Sequence, residues 1–141
     1  TVSHAGDGPL QKTTDRRRYD EARKSAKDAD DALLIGPDGA VLETSICNVF
    51  FLLPGGRLVT PPARGILPGI ARARLLGRAV EARLDLATAA TARACVVTNA
   101  VLLAHPVASI EGIADFDSEG LARDLREAMD RTALHLRIIQ R

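Results

Sequence analysis

Three places along these 141 residues carry groups that could act on one small molecule. Lys12, in Gln11-Lys12-Thr13-Thr14-Asp15, supplies an amine. An ordinary lysine amine has a pKa of about 10.4, and it attacks an aldehyde only once it has lost its proton. Burial or a neighbouring cation lowers that value and turns such lysines into imine formers. Arg16, Arg17 and Arg18 are close enough in sequence to contribute positive field. Glu43 ends the apolar run Ala40-Val41-Leu42, where burial makes a carboxylate costly unless a cation pairs with it. A protonated pyridine nitrogen would be such a partner. Gly69, in Gly65-Ile66-Leu67-Pro68-Gly69-Ile70-Ala71-Arg72, marks a loop-to-helix junction. Free main-chain N–H groups and the helix dipole there favour a phosphate. Ile70 and Ala71 would donate through the backbone, Leu67 could press on a flat ring, and Thr98-Asn99-Ala100 could offer a second set of amides.

Each of these readings has a plainer rival. Lys12 could be a solvated lysine at a helix entrance, since lysine is almost always exposed. Glu43 could hydrogen-bond nearby turn amides, and Asn48 could orient backbone around Glu43 or cap the following strand. A Gly-Pro loop before a helix is common, and Thr98-Asn99-Ala100 could be a strand-ending turn. Taken together, amine, carboxylate and phosphate cradle are what a protein needs to bind pyridoxal 5'-phosphate as an electron sink. His105 before Pro106 reads as a surface or packing residue, and His4 and His135 have no partners for a metal site or nucleophile triad. No metal-binding motif, Walker loop, Gly-x-Gly-x-x-Gly or Gly-x-Ser-x-Gly elbow occurs.

The elements that must position these groups follow from periodicity and turn residues. Thr14 or Asp15 could cap a helix running to about Asp28, with Tyr19, Ala22 and Ala26 on one face. Asp31–Ile35 and Ala40–Glu43 read as a hairpin about Gly36-Pro37-Asp38-Gly39. Asn48–Leu53 and Arg57–Val59 read as strands about Pro54-Gly55-Gly56, and Ala94–Thr98 and Ala108–Ile110 as two more. Gly69 to about Arg83 reads as a helix burying Ile70, Ala73, Leu76 and Val80. A last helix starts at Asp117 or Ser118, with Leu121, Leu125, Met129 and Leu136 on its apolar side. The sum is an α+β domain around a strongly curved sheet.

Bulk composition narrows the classes. A net charge of +1 gives no field for nucleic acid or anionic membrane, and 3% aromatics without Trp argue against a base-stacking platform. Cys47 and Cys95 lie in apolar runs without metal spacing, as buried free thiols of a reducing compartment do. No run approaches the roughly 20 apolar residues of a membrane span, so a soluble, cytoplasmic protein is expected.

The motifs in combination resemble the class IV aminotransferases, the fold-type IV pyridoxal phosphate enzymes. Glu43-x-Ser45-x-x-Asn48-Val49-Phe50, Leu58-Val59-Thr60 and Leu67-Pro68-Gly69-Ile70-Ala71-Arg72 match that family's signature in order and spacing. Lys12–Arg16, Asp30–Leu34 and Thr98–Val107 extend the match across most of the chain. The resemblance implies the larger C-terminal domain of the D-amino acid aminotransferase-like fold, a curved mixed pseudo-barrel sheet with helices. It implies Lys12 as the Schiff-base lysine that also shuttles the substrate's α-proton, and Glu43 as partner of the ring nitrogen. It places Ile70, Ala71, Asn99 and Ala100 at the phosphate and Leu67 against the ring. The family usually has Thr where this chain has Ala71.

Gln11–Tyr19 looks most like aminodeoxychorismate lyases, although His commonly precedes the lysine there. That activity eliminates pyruvate from 4-amino-4-deoxychorismate to give 4-aminobenzoate, a folate precursor. Branched-chain or D-amino acid aminotransferases are the alternative, and a non-catalytic binding module that keeps the fold is a further one. The family carries a smaller domain ahead of the lysine. Residues 1–11 are therefore expected to be a remnant of the interdomain linker and 12–141 the cofactor domain, as in a cleaved product, an engineered truncation or one piece of a split protein. The expected partners are a small-molecule substrate, that missing domain and a second copy in a homodimer. The residues by themselves are expected to bind pyridoxal phosphate weakly and to turn over nothing.

Overall fold

Short strands set off by Gly and Pro alternate with helices along this chain, and the computed structural model describes residues 2–3, 15–26 and 28–133. The expectations for Lys12, His4, His135 and Leu136 lie outside the described residues. In chain order the elements are β1 (Val2–Ser3), α1 (Arg17–Ser25), β2 (Leu33–Ile35), β3 (Val41–Thr44), β4 (Asn48–Leu52), β5 (Leu58–Thr60), α2 (Ile70–Leu75), β6 (Val80–Glu81), α3 (Leu86–Ala90), β7 (Ala94–Asn99), β8 (Leu103–Val107), β9 (Ser109–Ile110), β10 (Ala114–Asp115) and α4 (Glu119–Ala133). A five-stranded mixed sheet runs β6-β5-β4-β7-β8, beside a three-stranded sheet β1-β2-β3 and the β9-β10 hairpin. An isolated antiparallel bridge from Ala40 to Asp85 ties the start of β3 to the residue that precedes α3. The fold is α+β with mixed sheets, and the strands do not close a barrel among the described residues.

Turn chemistry sets the hairpins. Gly39 has φ 77°, and Gly55 and Gly56 have φ 85° and 81°, a region closed to most side chains. The two expected turns therefore form, and the flanking apolar runs pair antiparallel as β2-β3 and β4-β5.

The central strands are buried on both faces, which is why Asn48-Val49-Phe50-Phe51 shows no polar alternation. Successive side chains point to opposite faces. Val49, Phe51 and Cys95 go to a core with Leu33, Ile35, Val41, Leu84 and Ala89. Phe50 and Val96 go to a second core with Ala71 and Leu75 of α2 and Ala122, Leu125 and Met129 of α4. Each fully buried side chain of this size stabilises by about 1.5–3 kcal/mol, so these two layers hold β4 and β7 in place. A third, smaller cluster seats α1: Ala22 packs on Ala32 and Leu34, with Tyr19, Ala26 and Leu42 at its edge.

Several expected elements differ. The helix expected over 69–83 ends at Leu75, and Val80–Glu81 pairs parallel with β5 as β6. Its buried residues are Ala71, Arg72 and Leu75 rather than Ile70, Ala73 and Val80; Ile70 is 71% exposed. Periodicity admits either stripe, and packing against β7 and α4 selects the observed one. Strand β8 spans Leu103–Val107, which the sequence reading leaves without a strand, and it contains Pro106. It is an edge strand, where a residue without an N–H is tolerated. His105 is exposed on it, opposite Val97. Helix α3 was also unforeseen, although Asp85 caps it by accepting from the Thr88 N–H at 2.8 Å, a local signal that could have revealed it.

Candidate active site

Glu43 projects from β3 into a buried corner and is only 4% exposed. Three donors meet its carboxylate. The Tyr19 hydroxyl donates to Oε1 at 2.8 Å, the Leu67 backbone N–H to Oε2 at 3.1 Å, and Asn48 Nδ2 to Oε2 at 3.4 Å. The plainer reading of Glu43, a carboxylate on loop amides, thus describes one of its contacts. Burial pushes its carboxyl above the ordinary 4.5, opposed by the Tyr19 and Leu67 hydrogen bonds and the nearby Arg18 charge. Among the described residues no cation is in ion-pair contact with it.

Asn48 joins the acid to the loop ahead of α2. Its Nδ2 also donates to the Leu67 carbonyl at 2.8 Å, and its Oδ1 accepts from the Gly69 N–H at 3.2 Å. Of the two roles open to Asn48 from sequence, orienting backbone around Glu43 is the one its side chain performs. Gly69 is the N-cap of α2, so the N–H groups of Ile70 and Ala71 fall among those that a helix start leaves without intrahelical partners. The Leu67 side chain is 38% exposed beside Glu43, while the Ala71 methyl is buried.

Asn99 closes another side. Its strand neighbour Thr98 stands opposite Asn48 in the β4-β7 register. Asn99 Nδ2 lies 3.2 Å from Cys47 Sγ, in the turn between Glu43 and Asn48, and its Oδ1 accepts from the N–H groups of Val101 and Leu102 at 2.9 and 2.7 Å. That is the geometry of a strand-ending turn, and it leaves Ala100 exposed at the tip. Burial raises the Cys47 thiol above its ordinary range, as expected of an inert free cysteine. The Thr98 hydroxyl is buried without a hydrogen-bond partner among the described residues.

The structure therefore joins Glu43, Leu67 and the start of α2 by hydrogen bonds through Asn48; Asn99 meets the Glu43–Asn48 turn at Cys47, Ala100 is exposed beyond it, and Lys12 is outside the described residues. Sequence reasoning missed Tyr19 as a site residue and Arg18 behind it. Arg18 Nη2 donates to the Tyr19 oxygen, and its guanidinium carbon lies 4.5 Å from the ring centroid. No periodicity signals a phenol's partner 24 residues away. An open cleft of about 380 Å³ lined by Leu52, Arg93, Asp117 and Asp124 lies at the opposite end of β4 and β7 and takes no part. Among the described residues no group of three or more His, Cys, Asp or Glu could hold a metal ion, and no helix is long and apolar enough to cross a membrane.

This α+β fold with mixed sheets is that of the fold-type IV aminotransferases. The amino-transferase class IV family model matches residues 2–110, and the chain belongs to that family. Among solved structures, a provisionally named 4-amino-4-deoxychorismate lyase from Legionella pneumophila aligns with TM-score 0.78 and 26% identity, over 92% of this chain and 54% of that one. A provisionally named amino-acid aminotransferase from Mesorhizobium loti aligns with TM-score 0.63 and 33% identity, over 74% and 56%. A hypothetical aminotransferase from Mycobacterium tuberculosis, in its PLP-bound form, shares the fold at TM-score 0.71 and 21% identity, over 82% and 44%. The chain thus spans about half the length of these solved structures. No curated protein matches it significantly in sequence.

Proposed function

We propose that this protein binds pyridoxal 5'-phosphate and is a lyase that converts 4-amino-4-deoxychorismate to 4-aminobenzoate and pyruvate. The observation that carries the cofactor reading is Glu43: a buried carboxylate whose hydrogen bonds, among the described residues, all come from neutral donors. A carboxylate offers about four lone-pair positions, and three are occupied, so a pyridinium N–H fits the one that remains. The unpartnered Thr98 hydroxyl beside Asn48 also fits a site that takes a polar ligand. Bound there, the cofactor supplies an electron sink for charge that develops on the substrate. In this reading Glu43 holds the ring nitrogen and Leu67 packs on the ring. The N–H groups of Ile70, Ala71, Asn99 and Ala100 would hold the phosphate, and Lys12 Nζ would hold the cofactor's aldehyde carbon and move the substrate's α-proton.

The lyase is preferred because Gln11–Tyr19 resembles lyase sequences and because the Legionella pneumophila protein carries that name. The second reading, amino-group transfer, is favoured by the 33% identity to the Mesorhizobium loti protein. We place these residues as the cofactor-holding part of a homodimeric cytoplasmic enzyme whose substrate is read largely by residues outside them. The test has two stages. Pyridoxal phosphate added to the protein should give a visible absorption band that is lost in Lys12→Ala and shifted in Glu43→Gln. Colourless wild type after soaking would overturn the cofactor reading in favour of a non-catalytic module. Assaying the natural gene product for 4-aminobenzoate formation against amino-group transfer then separates the two activities.

A further inference from the structure

We infer that Tyr19, braced by Arg18, is a positioning residue that aims Glu43 at the cation it binds. The inference takes the identity of that cation, a pyridinium ring, from the reading above; the relay itself stands on geometry.

The direction of each hydrogen bond follows from donor chemistry. A guanidinium has donors and no acceptor, so in the Arg18–Tyr19 contact the phenol oxygen accepts. The phenol has one proton of its own, and Glu43 Oε1 lies 2.8 Å away to take it. Tyr19 is thus committed as a donor to Glu43, and the Arg18 cation polarises that donation. A protonated Glu43 presenting its own hydrogen to the phenol oxygen would strand the Tyr19 proton. The relay therefore favours the ionised acid, against the burial that opposes ionisation.

Three elements pack around this carboxylate, and their contributions differ in kind. Strand β4 offers the neutral Asn48 amide and the loop before α2 offers the neutral Leu67 N–H. Helix α1 supplies the charge, from Arg18 through Tyr19. Oε2 is held by the two neutral donors and Oε1 by Tyr19, which leaves one direction of approach. Helix α1 is seated well enough to act in this way: Ala22 is fully buried against Ala32 and Leu34, and Arg16 Nη2 bonds the Ser45 carbonyl at 3.2 Å, two residues beyond Glu43. Arg17, between Arg16 and Arg18 in sequence, has its side chain 85% exposed and pairs with Asp15, which makes it the natural control.

The deciding measurement is the titration of the Glu43 carboxyl carbon by 13C NMR in the protein without cofactor. Tyr19→Phe keeps the ring and its packing while removing the hydroxyl, and should raise the Glu43 titration midpoint by about one pH unit. Arg18→Gln should raise it by a smaller amount, and Arg17→Gln should leave it in place. An unmoved midpoint in Tyr19→Phe, or an equal shift in Arg17→Gln, would overturn the inference. A separate arm follows the ring nitrogen of 15N-labelled pyridoxal phosphate. In Tyr19→Phe its protonated fraction should fall at a given pH. Identical nitrogen shifts in wild type and Glu43→Gln would instead refute the cofactor reading, with the carboxyl titration still deciding the relay.

Discussion

Gly69 stands against Asn48 so closely that a Cβ at position 69 would collide with the amide oxygen that accepts the Gly69 N–H. Gly69→Ala must therefore displace Asn48 or the loop, breaking bonds that also reach Leu67 and Glu43. A loss of about 1–3 kcal/mol is expected by urea denaturation, with weaker uptake of pyridoxal phosphate. Gly77, with open space where its Cβ would lie, is the control: Gly77→Ala should be neutral or slightly stabilising.

Stability should fall with rising pH through Glu43. Burial holds its folded-state pKa above the ordinary 4.5, so the folded chain binds this proton more tightly than the unfolded one. The favourable contribution is complete below the unfolded value and is lost as pH rises through the folded one. Asp38, Asp85 and Glu81 are lowered and act in the opposite sense, so the difference between wild type and Glu43→Gln isolates the effect. In denaturation curves recorded from pH 4 upward without cofactor, wild type should lose ground to Glu43→Gln. A flat difference would contradict this.

Arg72 is 2% exposed and grips the Pro61 carbonyl at 2.9 Å and the Glu81 carboxylate. Both bonds come from Nη2 and hold the end of β5 and β6 to α2, and the shorter lysine side chain does not reach that position without a shift. Arg72→Lys should cost about 1–3 kcal/mol despite keeping the charge. Glu81→Gln, at the exposed end of the pair, should cost much less. Thermal melts of the two variants check the order.

Ser118 precedes α4 as expected, yet its hydroxyl serves the sheet. It accepts from the Cys95 N–H at 3.0 Å and donates to the Val107 carbonyl at 2.7 Å. Ser118→Ala leaves two backbone groups unpaired and should destabilise by about 1–3 kcal/mol. Hydrogen exchange at Cys95 should quicken more than at Phe50, which lies within the same sheet away from the seam.

What residue order determined by itself was local. Glycine-led turns and unbroken apolar runs define the β2-β3 and β4-β5 hairpins, because the conformational preference and the burial signal lie within a few residues. The acid at 43 and the glycine at 69 were legible as candidates for the same reason. Only the tertiary structure decided how they meet. Tyr19 reaches Glu43 across 24 residues and Asn48 reaches Leu67 across 19, through docking of α1 on β2 and of the loop on β4. The early end of α2 and the Pro-containing β8 belong to the same class. A period of 3.6 or 2 states which residues can share a face, whereas the neighbouring element selects which face is buried, and an edge position excuses the missing N–H of Pro106.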